Sequence, residues 1–182
     1  MDPRFVRGTE RRVRVRIEQL MTKVTTTCRP GHSLSEAAQM MWDDDCGCLP
    51  VTAGDGSQRL LGMITDRDIC MAIRLEGGAL AELRVEDAMT EVVRACNPGD
   101  PISEAVAIMG EARVRRLPVV DGSERVIGLL SLADLALEAE RQSSREEPEI
   151  TVAEVGGLLA TICQPYEIGS ERVLAQHRNA KR

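Results

Sequence analysis

The sequence LGMITDRD, residues 61–68, recurs as IGLLSLAD, residues 127–134. Each copy begins with a hydrophobic residue and a glycine and ends with threonine or serine followed three residues later by aspartate. Three further blocks recur in the same order: IEQLMT at 17–22 and VEDAMT at 85–90, CRPG at 28–31 and CNPG at 96–99, and LPV at 49–51 and 117–119. The spacing is kept, apart from a two-residue contraction in the turn before the last block. This ordered self-similarity predicts two copies of one folding unit.

Each copy has the same local pattern. Four apolar residues at helical spacing predict a first helix; they are Leu34, Ala37, Ala38 and Met41 in one copy, and Ile102, Ala105, Val106 and Met109 in the other. We expect Asp100 to cap the second of these helices, with Pro101 at its first position. Two short strands joined by a Gly- and Asp-rich turn follow, at Leu49–Thr52 and Leu60–Ile64 and at Leu117–Val120 and Val126–Leu130. A second helix starts at Thr65 or Ser131, so that each copy reads β-α-β-β-α.

One such unit buries too little surface to be stable alone. We therefore expect an α+β fold in which the two repeats pack sheet to sheet about a pseudo-two-fold axis, which leaves paired clefts between equivalent loops. The predicted segments are a basic arm (1–14), repeat 1 (15–76), repeat 2 (77–142), a polar linker (143–150), a C-terminal helix (151–164) and a flexible tail (165–182). The capping pattern Thr151-x-x-Glu154 opens that helix, and Val152, Val155, Leu159 and Ile162 are expected on one of its sides.

The composition of the chain disfavours several classes of function. The 182 residues contain three aromatic side chains and carry a net charge of −6, which disfavours nucleic acid as a partner. No apolar run approaches the roughly 20 residues of a membrane span, and the arginine-rich N-terminus lacks a secretory signal, so a cytoplasmic protein without a membrane partner is expected. The six cysteines include one close pair, Cys46 and Cys48. A metal site there needs further ligands, and the chain has two histidines, His32 and His177.

The four repeated blocks resemble the sequence pattern of two tandem cystathionine-β-synthase (CBS) domains, known as a Bateman module. This resemblance covers about residues 15–140. It implies a regulatory or sensory unit and not an enzyme. It also implies clefts that hold AMP, ADP, ATP or S-adenosylmethionine as a regulatory ligand, with no cofactor required. Such modules commonly pair into disc-shaped dimers, so a homodimer is expected.

The candidate nucleotide-binding residues follow from the last block. Asp68 and Asp134, each one turn into a helix, are placed to accept hydrogen bonds from ribose hydroxyls. Thr65 and Ser131 stand at helix starts, where free amides favour a phosphate. The same Ser/Thr-x-x-Asp pattern is also a helix capping box that needs no ligand, and both roles can coexist.

The two repeats differ in charge next to this block. Arg115 and Arg116 precede the second LPV, where the family often has basic residues that reach ligand phosphates, whereas Gly47 and Cys48 precede the first. Arg67 in repeat 1 partly compensates for this difference. We therefore expect unequal clefts, with the Ser131 and Asp134 cleft holding a phosphorylated ligand better.

Three functions remain open at this stage. The first is a non-enzymatic sensor of adenine nucleotides that acts on an unidentified protein partner. The second is a ligand-free structural module that dimerises and acts through protein contacts. The third is an enzyme or thiol redox protein using Cys46 and Cys48, which predicts bound metal or a reactive thiolate. No catalytic or metal-binding residue is assigned.

Overall fold

A computed structural model describes residues 14–23 and 26–165. The helices are α1 (Leu34–Asp43), α2 (Asp66–Glu76), α3 (Val85–Ala88), α4 (Ile102–Ala112), α5 (Leu132–Arg141) and α6 (Val152–Ile162), with a short 3-10 helix at Ile17–Gln19. The strands are β1 (Thr22–Lys23), β2 (Cys48–Thr52), β3 (Leu60–Thr65), β4 (Arg116–Val120) and β5 (Val126–Ser131). Apart from Arg14 and Pro165, the predicted basic arm and tail lie outside the described residues.

The two repeats fold alike, and the predicted α+β class is confirmed. In each repeat an antiparallel hairpin, β2–β3 or β4–β5, carries a bulge at the same place, after Val51 or Val119. The first strand of each unit is reduced to one parallel bridge, from Cys28 to Val51 and from Cys96 to Val119. The hairpins meet at their turns through an antiparallel bridge between residues 59 and 125.

The predicted cap of α4 is wrong by one residue. Pro101 occupies the capping position, and the helix begins at Ile102. The Asp100 carboxylate instead accepts hydrogen bonds from the backbone and side-chain nitrogens of Asn97, at 2.8 and 3.1 Å. Proline has a φ that fits either position, so the sequence pattern did not distinguish them.

The segments that precede each Pro-Gly block cross over to the other repeat. We call residues 17–23 and 85–90 the crossing arms. The amides of Ile17 and Glu18 donate to the carbonyls of Asp100 and Pro98, both at 3.0 Å. The second arm repeats this contact, because Val85 and Glu86 donate to the carbonyls of His32 and Pro30 at 2.9 and 3.0 Å. Each arm is thereby fixed to the Pro-Gly turn of the opposite repeat.

Further along, each crossing arm lies against a strand of the opposite repeat. β1 pairs antiparallel with β5, placing Thr22 opposite Leu129, and Thr90 pairs with Met63 of β3. The strand residues beside these contacts are glycines. A Cβ on Gly62 would lie 2.8 Å from the carbonyl oxygen of Thr90, and a Cβ on Gly128 would collide with Met21. The glycine in each repeat therefore leaves the space that the Met-Thr segment of the opposite repeat occupies.

The two crossing arms also contribute side chains to the apolar cores of the opposite repeats. Ile17, fully buried, packs in the core of repeat 2 with Leu117, Leu130 and Leu135. Val85, its equivalent, packs in the core of repeat 1. Each repeat thus buries an apolar side chain supplied by the other, which makes the pair one cooperative unit.

The C-terminal helix α6 packs on α4 and α5 of repeat 2. Its capping box is present, because Thr151 and Glu154 exchange hydrogen bonds of 2.8 to 3.1 Å. The predicted apolar side needs correction. Its buried residues are Val155, Leu158 and Ile162, whereas Val152 and Leu159 are exposed. Because 3.6 residues make one turn, position 158 and not 159 completes the stripe facing the core.

A buried polar network holds the linker before α6 in place. Gln142, fully buried, donates through Nε2 to Oε1 of Glu138 and accepts from the Glu149 amide at 2.7 Å. The Glu149 carboxylate accepts from the Val15 amide at 2.9 and 3.0 Å. Burial opposes ionisation of Glu138, but hydrogen bonds from Arg141 and Gln142 outweigh it and lower its pKa. The network therefore joins the start of the first crossing arm to α5 and to the linker.

The crossing contact predicts a selective loss of stability. Gly62→Ala should lower the free energy of unfolding by about 2 kcal/mol, because its Cβ meets a backbone oxygen that cannot move without breaking the arm's pairing. Urea denaturation measures this change. The matched control is Gly99→Ala, where nothing lies within 4 Å of the added Cβ. Equal stability of the two variants would contradict the crossing contact.

Candidate functional site

The two Ser/Thr-x-x-Asp motifs form matching helix caps. At the start of α2, Thr65 donates to Oδ2 of Asp68 from its hydroxyl at 2.7 Å and from its amide at 2.9 Å. At the start of α5, Ser131 donates to Oδ2 of Asp134 at 2.6 and 2.7 Å. Each aspartate amide returns a bond of 3.2 Å to the hydroxyl. The capping role considered from the sequence is therefore real in both repeats.

Each cap engages only half of its carboxylate. In the described part of the chain, no hydrogen bond reaches Oδ1 of Asp68 or Asp134, and both side chains are half-buried. An ionised carboxylate keeps acceptor capacity on each oxygen. Oδ1 can therefore accept a hydroxyl hydrogen bond from a ligand while Oδ2 stays on the cap. The caps of α1 and α6 have the same chemistry, so capping geometry alone does not mark a ligand site.

The surroundings of Asp68 and Asp134 come from both repeats. Asp134 follows β5, whose edge is covered by β1 of repeat 1, and Asp68 follows β3, whose edge is covered by Thr90 of repeat 2. The crossing arms therefore run beside the strands that lead to the two caps.

The first turns of α2 and α5 differ in their amides. In α5 the Leu132 amide donates to the carbonyl of Arg115 at 2.8 Å, whereas the Ala133 amide meets no acceptor among the described residues. In α2 the equivalent amide, that of Arg67, donates to the Asp66 carboxylate at 2.7 Å. In repeat 1 the Asp66 carboxylate therefore already binds the amide of Arg67. In repeat 2 the equivalent amide, that of Ala133, has no such carboxylate beside it among the described residues.

The three arginines of the predicted site point in different directions. The Arg115 guanidinium lies 3.4 Å from Sγ of Cys163, at the end of α6. The Arg116 guanidinium reaches into repeat 1, to 4.0 Å from where a Cβ would stand on Gly47. Arg67 is exposed on α2. Although β4 pairs Arg116 with Ser131, neither Arg115 nor Arg116 donates a side-chain hydrogen bond to Ser131 or Asp134 in the described structure.

Three of the cysteines, Cys28, Cys48 and Cys96, are buried. Cys28 and Cys96 stand at equivalent positions, each with its thiol 3.8 Å from a proline carbonyl, and burial raises the pKa of both to about 12. Burial raises the pKa of Cys48 to about 11, although the Arg116 charge opposes this. Within residues 14–23 and 26–165, no three His, Cys, Asp or Glu side chains gather as a metal site.

The described helices include none with the length and apolar character needed to cross a bilayer.

The sequence model of the CBS domain family matches residues 17–75 and 85–140. The CBS domain-containing protein YhcV of Bacillus subtilis is 31% identical over 121 residues, which are 66% of this chain and 83% of that protein. A homoserine O-acetyltransferase of Methanohalobium evestigatum is 31% identical over 120 residues, which are 66% of this chain. The chain spans 23% of that enzyme's length.

Solved structures share the fold. Hypoxic Response Protein I, crystallised with two coordinated zinc ions, is 29% identical and superposes with a TM-score of 0.61 over 68% of this chain and 98% of that one. The CBS domain pair of MJ0100, crystallised with 5′-methylthioadenosine and S-adenosyl-L-methionine, is 24% identical, with a TM-score of 0.60 over 68% of this chain and 94% of that one. This second likeness concerns the fold alone.

The thiol environments predict an order of reactivity. At pH 8 a thiol whose pKa is about 12 is thiolate in only about one molecule in 10⁴, so Cys28 and Cys96 should resist alkylation in the folded protein. The exposed Cys70 and Cys163 should react first. Iodoacetamide labelling with peptide mass spectrometry measures this order, and urea-unfolded protein is the control. Labelling of Cys46 and Cys48 ahead of Cys70 would instead favour a redox pair.

Proposed function

The chain belongs to the CBS domain family, and on that premise we propose that it is a non-enzymatic regulatory module that binds an adenosine-containing ligand between its two repeats. The ligand class is AMP, ADP, ATP or S-adenosylmethionine. The MJ0100 domain pair was crystallised with two ligands that contain adenosine. In this chain each of the two caps leaves one carboxylate oxygen that can accept a hydrogen bond from a ribose hydroxyl. Regulation then requires that the ligand bind one form of the protein more tightly than another.

The observation that carries the proposal is the half-used carboxylate of Asp134. A ribose hydroxyl donates to Oδ1, while the Ser131 bonds to Oδ2 fix the direction of the carboxylate. Adenine needs only aliphatic side chains around it, which suits a chain with three aromatic residues. The clefts therefore hold the sugar by charge and the base by apolar contact.

We assign the phosphorylated ligand to the repeat 2 cap. The free Ala133 amide at the positive end of α5 favours an anion, whereas the Asp66 carboxylate already occupies the equivalent place in α2. Arg116 pairs with Ser131 in the hairpin, and Arg115 precedes it in the chain. We propose that these two arginines supply further charge to a bound phosphate. Thr65, Arg67 and Asp68 form the second, weaker site, which favours a ligand without phosphate.

The test is calorimetry of the full chain with AMP, ADP, ATP and S-adenosylmethionine. Asp134→Ala should weaken the tightest ligand at least about tenfold, since a hydrogen bond to a charged group contributes about 1.5–3 kcal/mol. Asp68→Ala should affect that ligand less. Glu154→Ala is the matched control, because it removes the equivalent capping carboxylate from α6, which costs about 1 kcal/mol of stability and no affinity.

Two results would contradict this assignment. The first is an unchanged affinity in Asp134→Ala. The second is the absence of binding by all four ligands, together with an ultraviolet spectrum of the native protein that shows no co-purified adenine.

A ligand-free dimerisation module is the second candidate, and the helices of repeat 1 favour it. Trp42 on α1 is 82% exposed, and Leu75 on α2 is 52% exposed. In repeat 2 the position equivalent to Trp42 is Gly110, and α6 packs there, with Leu158 3.5 Å from where a Cβ would stand. Repeat 1 thus leaves uncovered the helical face that repeat 2 covers with α6, and we propose that this face forms the homodimer.

Sedimentation velocity tests the dimer. The full chain should sediment as a dimer. Trp42→Glu should raise the dissociation constant of the dimer more than about tenfold, because it places a charge where the dimer buries an aromatic side chain. Leu137→Glu on α5 is the control, since that side chain is 72% exposed on repeat 2. A monomeric parent protein, or equal weakening by both variants, would argue against this face.

A further inference from the structure

Repeat 1 contains an open cavity at the end of its hairpin that lies away from the helix caps. It has about 420 Å³ of empty space, solvent included. Its walls come from Thr27, from Arg29 and His32 of the Pro-Gly turn, from Thr52, and from Gln58 and two glycines of the hairpin turn. Thr52 is at the opposite end of β2 from Cys48, which pairs with the capping Thr65. We call this space the turn cavity.

Two cationic or cation-forming side chains line the turn cavity. The Arg29 side chain lies across Gly54, where a Cβ would come within 2.8 Å of its Cδ. Its guanidinium makes no hydrogen bond or ion pair with the residues that the structure describes. His32 accepts the Arg29 amide at Nδ1, at 3.4 Å, so the proton of the neutral ring is on Nε2. Both residues therefore offer donors.

A chain of hydroxyls sets the direction of a third donor. Thr52, 3% exposed, donates to the Thr27 hydroxyl at 3.2 Å, and Thr27 donates to Oε1 of Gln58 at 3.2 Å. The carbonyl oxygen of Gln58 is thereby used, while its amide nitrogen has no acceptor among the described residues. None of the residues lining the cavity is acidic. The unbonded polar groups that Arg29, His32 and Gln58 bring to the cavity are therefore hydrogen-bond donors. The Glu36 carboxylate, which interacts electrostatically with His32, is not part of the lining.

Repeat 2 has none of this chemistry at the equivalent positions. Asn97, Asp100 and Glu124 stand where repeat 1 has Arg29, His32 and Gln58. Its hairpin turn is two residues shorter and is closed by its own Asp121 carboxylate, which accepts from the Ser123 and Arg125 amides at 2.9 and 3.0 Å. Since both repeats fold alike, the donors of the turn cavity are not needed for folding.

We propose that the turn cavity is a second binding site, separate from the caps, for a small phosphate-type oxyanion. Arg29 supplies the fixed charge, and Nε2 of His32 and the Gln58 amide each donate one hydrogen bond. Gly56, where nothing lies within 4 Å of an added Cβ, leaves the backbone of the turn open to the anion. The oxyanion is either free phosphate or the terminal phosphate of a larger ligand.

The histidines make this site directly observable. With two histidines in the chain, a His177→Asn variant assigns the His32 ring resonances in a proton NMR spectrum. Inorganic phosphate should shift the His32 resonances saturably at constant ionic strength, and Arg29→Asn should raise the midpoint at least about tenfold. Asn is the residue that repeat 2 has at this position, so the variant keeps a side chain that the fold accepts. Arg74→Asn, on the exposed face of α2, is the control.

The outcomes separate this site from the caps and identify the source of the phosphate. Asp134→Ala should leave the phosphate titration of His32 unchanged. A response to AMP but not to adenosine would assign the site to a nucleotide phosphate, whereas a response to inorganic phosphate alone would assign it to the free ion. No saturation by about 10 mM of either inorganic phosphate or AMP, an equal response to chloride, or an unchanged midpoint in Arg29→Asn would overturn the proposal.

Discussion

The fold depends on the exchange of the two crossing arms. Two backbone hydrogen bonds fix each arm to the Pro-Gly turn of the opposite repeat. Each arm then lies against a glycine in a strand of that repeat. A side chain at Gly62 would meet the Thr90 carbonyl oxygen and one at Gly128 would meet Met21, which is a steric constraint that does not depend on any ligand. The apolar ends of the arms, Ile17 and Val85, fill the opposite cores. Neither repeat therefore completes its own sheet edge or its own core.

The sequence predicted the elements of each repeat but not this exchange. Helical spacing, turn residues and the capping motif are local, and they place β2, β3 and α2 within a residue or two of where the structure has them. The pairing of β1 with β5 joins segments about a hundred residues apart, and no local pattern states which strand edge an arm will cover. A signal was nevertheless present. The Gly and Met-Thr blocks recur together, and a glycine inside a strand indicates that another backbone approaches closely.

Sequence reasoning located the capping side chains of the candidate site but not the directions of its arginines. The motif located Asp68 and Asp134 because a cap needs those residue types at that spacing, and the structure contains both caps. Long side chains are different, because their direction depends on what stands opposite them. Arg116 extends toward Gly47, which has no side chain to fill that space. The free Ala133 amide and the polar network around Gln142 have no sequence motif, since both depend on contacts made only after the chain has folded.

The two repeats are alike where they contact each other and differ elsewhere. Where they touch, the residues stay equivalent: Met-Thr against glycine, and arm amides against the Pro-Gly turn. Away from that contact they diverge, as the turn cavity of repeat 1, the free amide of α5 and the α6 cover on repeat 2 show. The crossing arms connect these regions. The first arm, residues 17–23, is hydrogen-bonded to the Pro-Gly turn of repeat 2, lies beside β5, and then continues into repeat 1. The strand that leads to the Asp134 cap is thus hydrogen-bonded to a segment of repeat 1, so the exchange that stabilises the fold also places both repeats beside that cap.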